Sequence, residues 1–305
     1  MIVTTMVKLF AAMLLGLYLG KKGVLDSSTN KKMSSVIVNV TGPALVINSV
    51  TSLEGTDPKA VIGILIYGIV IYCLLPFIGW AVAKMLRVDK DLVGTYILTI
   101  LLCNNSFMGF PVVQAFLGDK AIFYTSILHF GFNIMFYALG LSLIRKDAGD
   151  TSNEGIKIRD LINTGTIAAI VVIIIFFGRL SIPTVVAEPF GFVGSMTMPL
   201  SMMIIGANMA QYKLKTIFYS RRMYVITAIR LFVIPALIYV TANMFLKDTY
   251  SVQVATLTFG MPCAALVAMG TAPYKKQGKV GAVAVAFTTI CSMISIPIWA
   301  VLLGI

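Results

Sequence analysis

Two stretches decide how this chain folds: Asn104-Asn105-Ser106-Phe107-Met108-Gly109-Phe110-Pro111, and Gly260-Met261-Pro262. Each lies inside a strongly apolar run, and the two Gly-x-Pro tripeptides stand 151 residues apart. Proline inside a helix removes one amide donor and clashes with the carbonyl four residues back. In lipid no bulk water relieves that cost, so a broken backbone must be buried in protein or face a wet cavity. Matched breaks in the two halves of a chain mark the place where a secondary transporter holds its cargo.

The surrounding composition sets the class. Of 305 residues, 58% are hydrophobic and 12% charged, with mean hydropathy +0.93. Soluble domains carry roughly twice that share of charge. Apolar runs of about 20 residues, enough to cross a bilayer as helix, are expected at 2–20, 33–52, 60–83, 93–117, 121–144, 161–178, 190–210, 223–246, 250–271 and 280–304. Strand-like alternation is absent, which argues against a barrel. The first run has Lys21 and Lys22 after it and no small-x-small cleavage site, so it reads as a retained helix and not a signal peptide.

The net charge of +12 is a membrane signature, not a nucleic-acid footprint. Alternate loops hold Lys21, Lys22, Lys31, Lys32; Lys84, Arg87, Lys90; Arg145, Lys146, Lys157, Arg159; Lys213, Lys215, Arg221, Arg222; and Lys275, Lys276, Lys279. The opposite loops hold Lys59, Lys120, Arg179 and Lys247. The positive-inside rule places the rich set in the cytoplasm and both termini outside, which demands an even number of spans. Plasma-membrane residence with lipid as surrounding partner follows. Cys73, Cys103, Cys263 and Cys291 lie within spans without metal-ligand spacing, so buried thiols are expected, and no metal or cofactor.

Prolines recur by ordinal position: Pro43 in the second span and Pro199 in the seventh, Pro76 in the third and Pro235 in the eighth, Pro111 and Pro262 in the fourth and ninth. The expected organisation is a five-span repeat over 1–144, a cytoplasmic linker over 145–160, and a second five-span repeat over 161–305, inverted because five is odd. Facing inverted repeats put a site near the midplane.

Candidate site residues follow from cost. Asn104 and Asn105 are amides at lipid depth, expensive unless paired, and packing between helices is their other reading. Pro111 and Pro262 release the carbonyls of Phe107 and Thr258, and half-helix N-termini beside Gly109 and Gly260 would offer amide donors to an anion. Asn48 and Asn208 follow the paired prolines of spans two and seven. Arg230, the deepest basic residue, either snorkels or supplies a fixed positive charge. His129, the sole histidine, reads as hydrogen-bonded packing or a proton group. No Asp or Glu occupies the middle of a span, which leaves a neutral polar site suited to an organic anion. The sequence names neither proton nor sodium as the coupling ion. A receptor that binds a small ligand without moving it is the alternative, although it has no need of matched breaks. Intramembrane enzyme motifs and the G-x-x-x-x-G-K-[ST] nucleotide loop are absent.

The fourth span resembles the N-x-x-x-M-G-x-P-L-L pattern of the auxin efflux carrier family, which includes plant PIN-type carriers and bacterial malate or malonate permeases. Pro43-Ala44-Leu45-Val46, Ile204-Ile205-Gly206 and Pro262 resemble further family segments, and the likeness covers essentially the whole chain. It implies an all-α, ten-helix fold like that of bile-acid/sodium symporters. Broken helices 4 and 9 would cross; helices 1, 2, 6 and 7 would be a scaffold, and helices 3–5 and 8–10 a mobile crossover domain working as an elevator. Asn104 would face the substrate carboxylate, Val46 would form an apolar wall, and related folds imply a homodimer. Cys103 stands where plant carriers have proline and Cys263 where they have glutamine, and the long cytoplasmic loop is missing. These departures favour a small bacterial-type carboxylate over auxin.

Overall fold

The computed structural model describes residues 2–150, 163–211 and 221–305, which are helical apart from turns and one isolated bridge. Twelve elements are named here: α1 (Ile2–Lys21), α2 (Ser27–Ser52), α3 (Pro58–Met85), α4 (Val93–Leu101), α5 (105–117), α6 (Lys120–Ala148), α7 (Thr164–Phe177), α8 (Thr184–Ala210), α9 (Arg221–Phe245), α10 (Thr249–Phe259), α11 (Ala265–Thr271) and α12 (Lys275–Leu302). Among the described residues, seven helices are long and apolar enough to cross a membrane, and α7 is a shorter apolar helix. The expected fourth and ninth spans are each divided, into α4 and α5 and into α10 and α11.

Local chemistry sets the helix starts. Asp57 caps α3 by accepting from the Lys59 N–H at 2.9 Å, with Pro58 in the first position, where its missing N–H costs nothing. Asp26 caps α2 through the Thr29 N–H at 2.7 Å. That cap extends the helix through the polar run 27–32, six residues before the expected start at 33. Asn163 and Asp248 cap α7 and α10 in the same way.

Three of the wide π turns among the described residues, Ile37–Thr41, Asn105–Gly109 and Ile229–Val233, end just before a helical segment with proline in its first turn: Pro43, Pro111 and Pro235. A wide turn absorbs the displaced carbonyl that a proline ring would otherwise strike. Pro76 instead sits inside an uninterrupted α3, so it and Pro235 are accommodated differently.

A single contiguous core joins the helices; Ile64, Leu98, Leu101, Phe123, Ile234, Val254 and Phe259 are essentially inaccessible. The outer surface is equally apolar: Phe77 is 70% exposed, Val185 82% and Phe192 79%. Such a surface suits hydrocarbon and not water. α1 and α8 meet backbone to backbone. A Cβ at Gly206 would lie 1.8 Å from the Met13 carbonyl oxygen, and one at Gly16 2.0 Å from that of Met203. Small residues permit this approach, the usual basis of tight helix pairing in lipid.

At the lysine-rich end, the buried Asp147 accepts from the Gly94 N–H at 2.9 Å, the Thr95 N–H at 2.6 Å and Thr95 Oγ1 at 2.8 Å, capping α4 from α6. Gln277 of α12 donates to the carbonyls of Asp91 and Asp147. Of the stretch expected as linker, Arg145–Ala148 therefore completes α6, and residues 151–160 lie outside those described.

Candidate substrate site at the crossover

The two divided spans meet at their interruptions. Leu102 is extended, and Cys103 pairs with Cys263 as an antiparallel bridge. The Asn104 N–H donates to the Pro262 carbonyl at 2.8 Å, and the Ala264 N–H to the Leu102 carbonyl at 2.9 Å. The Cys263 N–H donates to Thr288 Oγ1 of α12 at 3.0 Å. Two helices give up their internal bonds here and recover them from each other, as backbone buried away from water must.

The break therefore differs from the sequence expectation in one half. Gly109-Phe110-Pro111 is itself helical, with the Gly109 N–H bonded to the Asn104 carbonyl at 2.8 Å; unwinding falls at 102–104. Pro111 is the seventh residue of α5, and the wide turn Asn105–Gly109 before it takes up the displaced carbonyl. In the other half Gly260, Met261 and Pro262 lie within the break, and the Thr258 carbonyl accepts from the Met261 N–H at 3.3 Å instead of being released.

Two cavities adjoin the bridge. The smaller, about 130 Å³, is lined by Val46, Asn104, Asn105, Ser106, His129 and Asn133, with Pro43 of α2 and Ala264 to Leu266 at the start of α11. The larger, about 450 Å³, is lined by Asn30, Lys31 and Ser34 of α2, Asn208 of α8, and Ala265, Ala268 and Thr289. Asn104, Phe107 and Ala265 line both and so form the partition. Among the described residues no carboxylate lines either cavity, and Lys31 places a cation at the larger one.

The neighbouring asparagines differ. Asn105 is 1% exposed; its Nδ2 donates to the Tyr72 hydroxyl at 3.2 Å, and its buried Oδ1 has no partner among the described residues. The Asn104 side chain makes no hydrogen bond among the described residues, although its backbone is pinned to Pro262. A fixed backbone carrying an uncommitted amide into two cavities is a pre-organised polar contact. Asn208 Oδ1 accepts from Asn30 Nδ2 at 3.2 Å, linking α8 to α2 at the wall of the larger cavity. Val46 walls the smaller cavity.

The remaining sequence candidates stand elsewhere. Asn48 packs against Gly191 and lines neither cavity. Gly109, Pro111, Gly260 and Pro262 are buried supports of the crossover. Arg230 does not reach the surface: it is 0% exposed, and its three guanidinium nitrogens have no hydrogen-bond partner among the described residues. It lines neither cavity. Phe107, Asn30, Lys31 and Thr289 were not singled out by sequence reasoning. The polar Ser27–Lys32 run at the start of α2 was the available signal, but it reads as loop until the Asp26 cap is seen.

A family model described as membrane transport protein matches residues 1–300. The chain belongs to that family. This is the auxin efflux carrier family of the sequence resemblance. Membership places the chain among transport proteins, and its helices make it a multi-pass membrane protein. Among curated proteins, an uncharacterized transporter of Methanothermobacter thermautotrophicus is 23% identical over 304 residues, covering 98% of this chain and 97% of the relative. An uncharacterized transporter of Methanocaldococcus jannaschii is 22% identical over 288 residues, covering 91% of each.

Proposed function

We propose that this family member is a secondary active transporter that moves a small organic anion, a carboxylate of the size of malate or malonate, across the plasma membrane. The observation that carries the reading is the Asn104 amide, uncommitted among the described residues, at the partition between two cavities that no described carboxylate lines. The larger cavity, at about 450 Å³, falls in the range of small-molecule sites. Lys31 and the start of α11 supply positive potential for an anion.

The seven long helices, α7 and the two divided pairs together make ten crossings, arranged as inverted repeats over 1–144 and 161–305. In this arrangement α1, α2, α7 and α8 are the scaffold, supported by the close α1–α8 packing. α3–α6 and α9–α12 are the mobile domain, and both cavities draw their walls from each group. Sliding one group past the other carries the crossover between the two membrane faces, an elevator-like alternating access. The lysine-rich loops lie in the cytoplasm and both termini outside.

The test is uptake of labelled mono- and dicarboxylates by proteoliposomes under separate pH, sodium and voltage gradients. Saturable uptake of a small carboxylate that competes with its unlabelled form is expected. Binding without transmembrane movement would overturn the reading in favour of a receptor.

A further inference from the structure

His129 is the only histidine in the chain, and the structure places it in the smaller cavity at the crossover. Its Nε2 lies 3.1 Å from Ser106 Oγ, in the wide turn that follows Asn104. The ring is held in place, stacked on Phe132 with centroids 5.0 Å apart and with Phe110 edge-on at 5.9 Å. Its Nδ1 is buried and has no hydrogen-bond partner among the described residues. Either neutral tautomer therefore leaves Nδ1 unanswered, as a bare acceptor or an unused donor.

Among the described residues, no other charged side chain lines this cavity. The elements that wall this cavity are α2, α5, α6, α7 and α11, and no Asp, Glu, Lys or Arg from any of them lines it. Tyr137 of α6 lines it as well. From α3, Tyr72 approaches Gly131, with its hydroxyl taken by Asn105. From α10, Thr258 faces Thr125. Lys120, Tyr124 and Tyr250 cluster at the far end of α6, and Lys31 belongs to the adjoining cavity.

An imidazolium alone in such a cavity is costly, and so is a carboxylate alone; each offsets the other's cost when both are present. Protonated, His129 offers an Nδ1–H donor and a positive charge close to Asn104. Building on the organic-anion reading, we infer that His129 takes up one proton as the anion binds and releases it as the anion leaves, making transport an anion–proton symport. The proton comes from solvent on the loading side and returns to solvent on the other, and no bond in the anion breaks. Because coupling is reciprocal, the anion favours protonation by the same factor that protonation favours the anion.

The experiment is calorimetric titration of the purified wild type with malate and malonate in buffers of different ionisation enthalpy, at a pH where the free acid is fully ionised. Expected are about one proton taken up per anion and an affinity that weakens about tenfold per pH unit wherever the free imidazole is neutral. H129Q, which keeps an amide to meet Ser106, is expected to take up none and to show a flat pH profile. Zero uptake by wild type, or unchanged uptake by H129Q, overturns the inference while leaving anion transport standing. If H129Q binds too weakly to count protons, wild-type proteoliposomes decide: a pH gradient acid on the anion side must drive accumulation, and failure to do so refutes the symport. Binding of no mono- or dicarboxylate by wild type would instead remove the organic-anion reading, and this inference with it.

Discussion

Replacing Asn104 and Asn105 separately by alanine distinguishes a binding group from a structural one. The Asn104 side chain has no hydrogen bond to a described residue to lose, so N104A is expected to change fold stability by no more than about 0.5 kcal/mol. What it removes is a bond to a charged ligand, about 1.5–3 kcal/mol, which weakens carboxylate binding roughly 10- to 100-fold at 1.4 kcal/mol per decade. N105A removes the fully buried bond to Tyr72 and leaves its hydroxyl only the Cys103 sulfur at 3.6 Å, a loss of about 1–3 kcal/mol of stability. Its effect on affinity is indirect. Affinity for malate or malonate, measured beside the melting temperature of the detergent-solubilised protein, separates the two. If N104A lowers the melting temperature and leaves affinity intact, Asn104 is structural and the site assignment is wrong.

Three further perturbations test the frame. In G206A the new Cβ would meet the Met13 carbonyl oxygen at 1.8 Å, far inside the 3.0 Å limit of real contacts. α1 and α8 must then separate by more than 1 Å, at a cost of about 1–3 kcal/mol; an unchanged melting temperature would show that the two helices do not touch as described. R230M replaces a buried guanidinium that has no hydrogen-bond partner among the described residues with an apolar chain of similar length and is expected to stabilise the fold by about 1–4 kcal/mol, so a lower melting temperature would mean that the charge has partners. At the exposed lysine-rich end, Lys276 bonds Asp91 at 2.5 Å and holds its carboxyl below the ordinary value. The folded pKa is depressed, so this contact stabilises above the ordinary aspartate pKa and is lost as pH falls through the lowered one. Carboxyl NMR should show the Asp91 midpoint rise in K276A, and a midpoint that stays put would exclude the ion pair.

Hydropathy and proline placement are local properties, and what they dictate was legible without coordinates. Apolar runs, each about one bilayer long, made the chain a helical membrane protein, and the interruption at Pro262 was visible because a proline at lipid depth has no other relief. Asn104 stood out because an amide at lipid depth must be justified by something. The ends of helices were less legible: Ser27–Lys32 reads as loop by polarity, and a single cap at Asp26 makes it helix. The fourth-span break was placed at Gly109–Pro111, yet it falls at 102–104, because the partner strand at 262–264 fixes where the backbone opens.

The sequence alone determined the solvent in which this protein lives and where its helices are under strain, since both depend on each residue's own transfer energy and backbone geometry. Tertiary structure alone decided which polar groups are answered. Asn105 finds Tyr72, Asn208 finds Asn30 and His129 finds Ser106, whereas the Asn104 amide and the enclosed Arg230 guanidinium have no hydrogen-bond partner among the described residues. A buried polar group's role depends on its partner. The partners here come from other helices, up to 178 residues away, at separations that no local periodicity encodes.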